Sequence, residues 1–141
     1  MNFEDKISLK VKVYSDGYVE IGNKFYMADE NGEPVSSLEC EFYKKRYDDD
    51  GNPVTTINDY WFSYGKCLIL PNTRANSIVL NDGNKYTYDY EVYLPLNKKK
   101  YAFLPKEGCC VKIEKKDGTI NSEKEVRGFT TYRKRYLRLW L

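Results

Sequence analysis

The sequence predicts an all-β protein, a small antiparallel β-barrel or sandwich of roughly eight to ten short strands. Apolar and polar residues alternate with period two in many short segments, and turn dipeptides recur between them. In addition, 14 of the 141 residues are tyrosine, a residue that favours strands and interfaces. No segment keeps a helical period over three turns. Because the length suits one domain, a single domain is expected over residues 1–141.

The first predicted strand illustrates the alternation. One face is predicted to carry Ile7, Leu9, Val11 and Val13, and the other Ser8, Lys10, Lys12 and Tyr14. Further strands are predicted at 18–21, 24–27, 38–43, 60–62, 67–70, 86–93, 110–114 and 136–141. The last of these places Leu137, Leu139 and Leu141 on one face and Tyr136, Arg138 and Trp140 on the other. The polar stretch 71–77 is predicted to be a loop or a hinge.

Dipeptides that contain glycine mark the predicted turns, because glycine supplies the positive φ that tight hairpins require. They are Asp16-Gly17, Gly22-Asn23, Asn31-Gly32, Asp50-Gly51, Asp82-Gly83 and Asp117-Gly118.

The chain contains no histidine, which excludes Ser–His and Cys–His catalysis and histidine-ligated metal sites. It also lacks a glycine-rich phosphate loop. The four cysteines fit no zinc spacing and are predicted to be reduced structural thiols, with a redox pair or a Cys-only metal site as the alternative. They are Cys40, Cys67, Cys109 and Cys110. We therefore predict no enzymatic activity, no cofactor and no metal.

One acidic loop resembles the start of a calcium-binding loop. Counting from Asp48, the residues Asp50, Asn52 and Asp59 occupy ligand positions, but Pro53 stands where the loop needs glycine. An acidic solvated hairpin is the favoured interpretation.

Charge divides unevenly along the chain. Residues 1–60 carry 7 basic and 13 acidic side chains, a net of −6, whereas residues 61–141 carry 16 and 8, a net of +8. The two values sum to the overall +2. Either these are solvated faces, or the molecule is polarised towards two different neighbours.

Two groups of residues are candidates for an interface or for phosphate contact. The basic group comprises Lys98, Lys99, Lys100, Arg133, Lys134, Arg135 and Arg138. The aromatic group comprises Tyr86, Tyr88 and Tyr90, which a continuous strand would place on one face. Such tyrosines stack on bases or sugars in some binding proteins, although core packing or cross-strand stacking explains the pattern more often.

The second half of the chain, from about residue 67 to 141, resembles the small β-barrel head-completion proteins of tailed bacteriophages, known as stoppers, head-closure or minor capsid proteins. The resemblance rests on a hairpin at 78–95 that ends in Val92, Tyr93, Leu94 and Pro95, on the segments 105–113, 117–119 and 126–129, and on the terminal Leu139, Trp140 and Leu141. Gly108 and Cys109 stand where the family has Gly-Asp. Residues 1–66 carry no resemblance, and they are predicted to be an acidic part of the same domain, or an arm or insertion.

The resemblance implies a non-enzymatic virion protein, made in the cytoplasm of a bacterial host, that forms a ring at the head–tail junction. Its partners would be other copies of itself, portal or adaptor proteins and tail proteins, with DNA passing through the lumen. No membrane contact is expected, since the longest apolar run is four residues and the N-terminus lacks a secretory signal. The alternatives are a β-barrel module that binds single-stranded nucleic acid or glycan, and another virion part such as a tail terminator, decoration or baseplate protein.

Overall fold

A computed structural model describes residues 2–22, 24–31, 34–40, 47, 50–96 and 105–141. Within these residues the chain is all-β, which confirms the predicted fold class. The main sheet curls into a half-barrel in which every pair of strands is antiparallel. A separate two-stranded sheet completes the fold.

The described residues form twelve strands, somewhat more than the sequence predicts. They are β1 (Asp5–Tyr14), β2 (Tyr18–Ile21), β3 (Lys24–Ala28), β4 (Pro34–Cys40), β5 (Thr56–Pro71), β6 (Ser77–Val79), β7 (Lys85–Thr87), β8 (Tyr90–Pro95), β9 (Cys110–Glu114), β10 (Asn121–Glu125), β11 (Gly128–Tyr132) and β12 (Tyr136–Trp140). The main sheet runs in the order β11-β12-β8-β5-β1-β2-β3-β4, with β9 and β10 joined to it through β1, and β6 pairs with β7.

Strand β1 lies in the middle of the main sheet and supplies much of the core. Along its whole length it pairs with β5, and on its other side it pairs first with β9 and then with β2. Ile7, Leu9 and Val11 are fully buried, as the alternation predicts. The first part of the chain is therefore built into the same core as the second.

The segments 60–62 and 67–70, predicted as two strands, belong to the single long strand β5. A register shift against β1 occurs between Ile7 and Ser8, where Ser8 pairs with Ser63 and Ile7 pairs with Gly65. Gly65 has a φ of 149°, which a β-bulge tolerates at glycine. The bulge inverts the alternation, so the buried residues are Phe62 and Tyr64 before it and Cys67 and Ile69 after it. Because the alternation of buried and exposed residues changes phase at the bulge, the sequence of this one strand has the pattern of two separate strands.

Three of the predicted Asp-Gly turns share one geometry. In each, the glycine has a φ between 79° and 84°, and the aspartate Oδ1 accepts a hydrogen bond from the amide two residues later. The amides are those of Tyr18 at 3.1 Å, Asn84 at 2.9 Å and Thr119 at 2.9 Å. Side-chain acceptors of this kind explain why aspartate precedes glycine in these hairpins.

The C-terminal strand has the predicted faces. Leu137, Leu139 and Leu141 are fully buried, while Tyr136, Arg138 and Trp140 lie on the opposite side and are partly exposed. Stretch 71–77 links β5 to β6 as the expected loop, and the Asn72 side chain closes it by hydrogen bonds to Asn76 and to the Tyr88 carbonyl.

Candidate interaction surface

The side of β8, β11 and β12 that faces away from the core forms a distinct surface, called here the outer face. The register places Trp140 beside Glu91, Arg138 beside Tyr93, and Tyr136 between Pro95 and Tyr132. Because cross-strand partners lie on the same side of a sheet, these residues share one face. The charged and aromatic residues of the outer face are therefore Glu91, Tyr93, Tyr132, Tyr136, Arg138 and Trp140.

Arg138 is held at the centre of the outer face. Its Nε donates a hydrogen bond to Glu91 Oε1 at 2.9 Å, and the Glu91 side chain is only 13% exposed. The guanidinium also lies over the rings of Trp140 and Tyr93, with 4.9 Å and 5.7 Å to their centroids. These contacts use the cation within the fold, so Arg138 is a structural residue rather than an available phosphate ligand.

The electrostatics of the outer face follow from Glu91. Burial opposes its ionisation, but hydrogen bonds from Arg138, Tyr93 and Tyr88 outweigh burial and lower the pKa of the carboxyl. Conversely, burial and the hydrogen bond to the Glu91 carboxylate raise the pKa of Tyr93 to about 12. At neutral pH Glu91 is thus a carboxylate that accepts several donors at once.

The remaining basic candidates at the C-terminus, Arg133, Lys134 and Arg135, are exposed and form the turn between β11 and β12, called here the basic turn. Arg133 and Lys134 have φ values of 52° and 56°, and the Arg135 amide donates to the Tyr132 carbonyl at 3.2 Å. Two central residues with positive φ are the geometry of a type I′ turn, which normally contains asparagine and glycine. Here cationic side chains occupy a backbone that glycine would adopt more easily.

The predicted tyrosine stripe is wrong, because the continuous strand on which it depended is interrupted. Tyr86 lies on β7, Tyr88 lies between strands and is buried, and Tyr90 begins β8. Tyr88 packs against Trp140, and its hydroxyl donates to Glu91 Oε2 at 3.3 Å. The backbone of Asp89 and Tyr90 binds Leu141 instead, since both of their amides donate to the Leu141 carbonyl.

Tyr86 and Tyr90 each lie beneath a cation. The Arg127 guanidinium is 4.9 Å from the centroid of the Tyr86 ring, and Lys124 Nζ is 5.9 Å from that of Tyr90. Lys98, Lys99 and Lys100, the other basic candidates, lie outside the described residues.

The described thiols have no disulfide partner and are poorly placed to react. Cys67 and Cys109 are buried, and burial raises the pKa of both, to about 12 for Cys67. Burial also raises the pKa of the half-buried Cys110. The neighbours Cys109 and Cys110 thus differ in exposure, while the Cys40 side chain lies outside the described residues.

A polar groove of about 540 Å³ lies at the Gly128 end of β11, and its charged lining residues are Asp82, Glu107, Glu125 and Arg127. Arg127 contacts Glu125 at 3.3 Å, and Asn81 donates to Glu107 at 2.9 Å. In the acidic loop, Asp48 and Asp49 lie outside the described residues, and Asp59 pairs with Lys10 at 3.6 Å. Among the described side chains, no group of three or more Cys, Asp or Glu is placed to hold a metal ion.

Two residues that organise the fold were not singled out from the sequence. Glu91 partners Arg138, which is 47 positions away, and Asp5 is buried among groups 64 and 111 positions away. One signal was available for Glu91, since it is a lone acid in the strongly β-prone 90–95 segment. For Asp5, which lies among other charged residues, there was none.

Comparisons of this chain with known protein families, with curated proteins and with solved structures found no match. In the described part of the chain there is also no helix long and apolar enough to cross a membrane.

Proposed function

We propose that the protein is a structural subunit of a tailed-phage virion, assembled as a ring at the head–tail junction between portal and tail. The observation that carries the proposal is the pairing of the two most specific segments of the resemblance. Leu139 pairs with Val92, and Leu137 pairs with Leu94. Segments whose paired residues are 43 and 47 positions apart thus form one β-ladder with a buried apolar side and an aromatic outer side.

The outer face supports a role in protein contacts. It gathers tyrosine and tryptophan, residue types that are enriched at protein interfaces and among their energetic hot spots. Such a face requires no reaction centre.

The experiment is to identify the protein in particles and then in an assembled junction. Particles produced by the genome that encodes the chain should contain its peptides, and chemical cross-linking should join them to portal or tail peptides. Images of the purified chain mixed with that portal protein should show an added ring. Absence of the peptides from particles would contradict the proposal, whatever the mass of the free protein.

The basic turn favours one second candidate, a module that binds single-stranded nucleic acid. Three exposed cations project from one turn, and Arg133 lies 5.1 Å from the centroid of the Tyr132 ring. Phosphates would pair with the cations, and a base would stack beside the ring. Arg138 is excluded from this role by its contact with Glu91.

If the three cations bind three phosphates, raising salt from about 50 to 200 mM should weaken binding of a labelled single strand by roughly twentyfold. Reversal of all three charges (Arg133→Glu, Lys134→Glu and Arg135→Glu) should abolish the binding in an anisotropy titration. The matched control reverses three exposed lysines on β1 and β5, with Lys6→Glu, Lys12→Glu and Lys66→Glu, and should retain most of it. Equal losses in the two variants would indicate binding by net charge alone and would reject this candidate.

A further inference from the structure

Strand β11 is an edge strand without the usual protection against pairing with another chain. Among the described residues it pairs with β12 alone. Its five residues, Gly128–Tyr132, include no charge and no proline, Thr130 and Thr131 are exposed, and the Phe129 side chain is 41% exposed. Unpaired backbone groups along such an edge form a template for an added strand.

The other edges of the main sheet do carry protection. Strand β10, which pairs with β9 alone in the described part of the chain, contains Glu123, Lys124 and Glu125. Strand β4 begins at Pro34, and its register against β3 shifts between Tyr26 and Met27. Charges, proline and bulges are the devices that keep edges from pairing. Strands β10 and β4 carry such devices, whereas the five residues of β11 carry none. Among the edges of the main sheet that the structure describes, β11 is therefore the one open to pairing.

Charges at the two ends of β11 indicate what pairs with it. At the Tyr132 end lies the basic turn, with three cations, and at the Gly128 end lies the polar groove, with three carboxylates and one guanidinium. An antiparallel partner strand of identical sequence would bring each basic turn beside the groove of the other copy. The same contact would then occur twice, as two-fold symmetry requires.

We propose that two copies of this chain form a two-fold dimer by antiparallel pairing of their β11 strands, with the axis at Thr130. This register pairs all five residues: Thr130 lies opposite Thr130 of the second copy, Phe129 opposite Thr131, and Gly128 opposite Tyr132. Pairing satisfies the edge backbone groups and places Phe129 against a cross-strand neighbour. Two main sheets become one continuous sheet.

A two-fold contact closes on two copies, so this dimer differs from the ring of the proposed function and does not depend on it. The dimer is a property of the purified chain, and the ring is a property of particles. An experiment can therefore contradict the proposed dimer without contradicting the proposed ring, and the reverse also holds.

The first experiment tests the strand and its register. In the variant Thr130→Cys the new thiols face each other across the axis, at a Cα separation that a disulfide spans in either type of antiparallel pair. Mild oxidation should therefore give a covalent dimer. Thr73→Cys, at an exposed loop position, should give far less. Cross-linking of Thr130→Cys no faster than of Thr73→Cys would overturn the proposal.

The second experiment tests the charges by sedimentation equilibrium. Reversing the basic turn (Arg133→Glu, Lys134→Glu and Arg135→Glu), or the groove (Glu107→Lys and Glu125→Lys), should weaken the dimer at least about tenfold. An equimolar mixture of the two variants should form the heterodimer, because each reversed surface then meets its complement. A wild-type chain that stays monomeric up to its highest soluble concentration, or a mixture that does not associate, would overturn the proposal.

Discussion

Replacement of Asp5 by alanine is expected to lower the free energy of unfolding by about 3 kcal/mol. Asp5 is 4% exposed, and its carboxylate accepts hydrogen bonds from the amides of Ile69 and Lys116, both at 2.9 Å. The Lys115 ammonium lies 3.4 Å from the same carboxylate. Alanine would leave both amides without an acceptor and the ammonium without its counter-charge.

The effect on the fold is large because these contacts join three parts of the sheet. Asp5 begins β1, Ile69 lies on β5, and Lys115 and Lys116 follow β9. Loss of the carboxylate is expected to loosen this end of the half-barrel rather than one strand. Chemical denaturation monitored by tryptophan fluorescence measures the change.

The matched control is Asp59→Ala. Asp59 also lies opposite β1 and pairs with Lys10 at 3.6 Å, but both side chains are more than one third exposed. Exposed ion pairs contribute little, so a loss below about 1 kcal/mol is expected. Similar losses for the two variants would show that the burial of Asp5 has no energetic consequence.

The Asp5 contribution should also depend on pH. Burial opposes ionisation of Asp5, but the hydrogen bonds from Lys116 and Ile69 and the charge of Lys115 outweigh it, so the pKa of the carboxyl lies below its ordinary value. The contribution is therefore complete above the unfolded-state pKa and is lost as the pH falls through the folded-state pKa. The difference between wild type and Asp5→Ala should be constant near neutral pH and shrink below about pH 4. A difference that grows on acidification would contradict this assignment.

The sequence predicted those parts of the fold that neighbouring residues determine. The alternation of Ile7, Leu9 and Val11 directs a strand face to the core, and the Asp-Gly turns carry their own hydrogen-bond acceptor. The faces of the last strand were likewise readable from period two alone. Each of these features is determined by residues that lie within a few positions of one another in the chain.

The errors arose where distant residues decide the structure. The bulge at Gly65 joins two apparent strands into β5 because β1 runs alongside both. The chain leaves the strand at Tyr88 because the adjacent backbone groups bind the C-terminal Leu141. Neither pairing has a local sequence signal, so alternation alone gave the wrong boundaries.

In the candidate interaction surface, too, local features could be predicted and contacts between distant residues could not. Exposure of the basic turn could be predicted, because a run of cations next to a β-prone segment is seldom buried. The role of Arg138 could not, since period two places it on the outer face without showing that Glu91 lies beside it. One member of an apparent basic patch is thus structural, and only three of its four described cations remain available to a partner.

Replacement of Gly22 by alanine is expected to lower the free energy of unfolding by about 3 kcal/mol, from two separate causes. Gly22 has a φ of 62°, a conformation unfavourable for alanine, and an added Cβ would lie 2.8 Å from the Sγ of Cys109. The thiol cannot move easily because Cys109 is buried. Thermal or chemical denaturation of the purified variant measures the sum of the two costs.

Two further variants separate these costs. Gly17 has a φ of 84° and no atom within 4 Å of an added Cβ, so Gly17→Ala should report the backbone cost alone, about 1 kcal/mol. Adding Cys109→Ala to Gly22→Ala removes the thiol that the new methyl group meets. The double variant should therefore be more stable than the sum of the single losses implies. Strict additivity would show that Gly22 is required only for its backbone conformation, and that the contact between the turn after β2 and the segment before β9 is not tight.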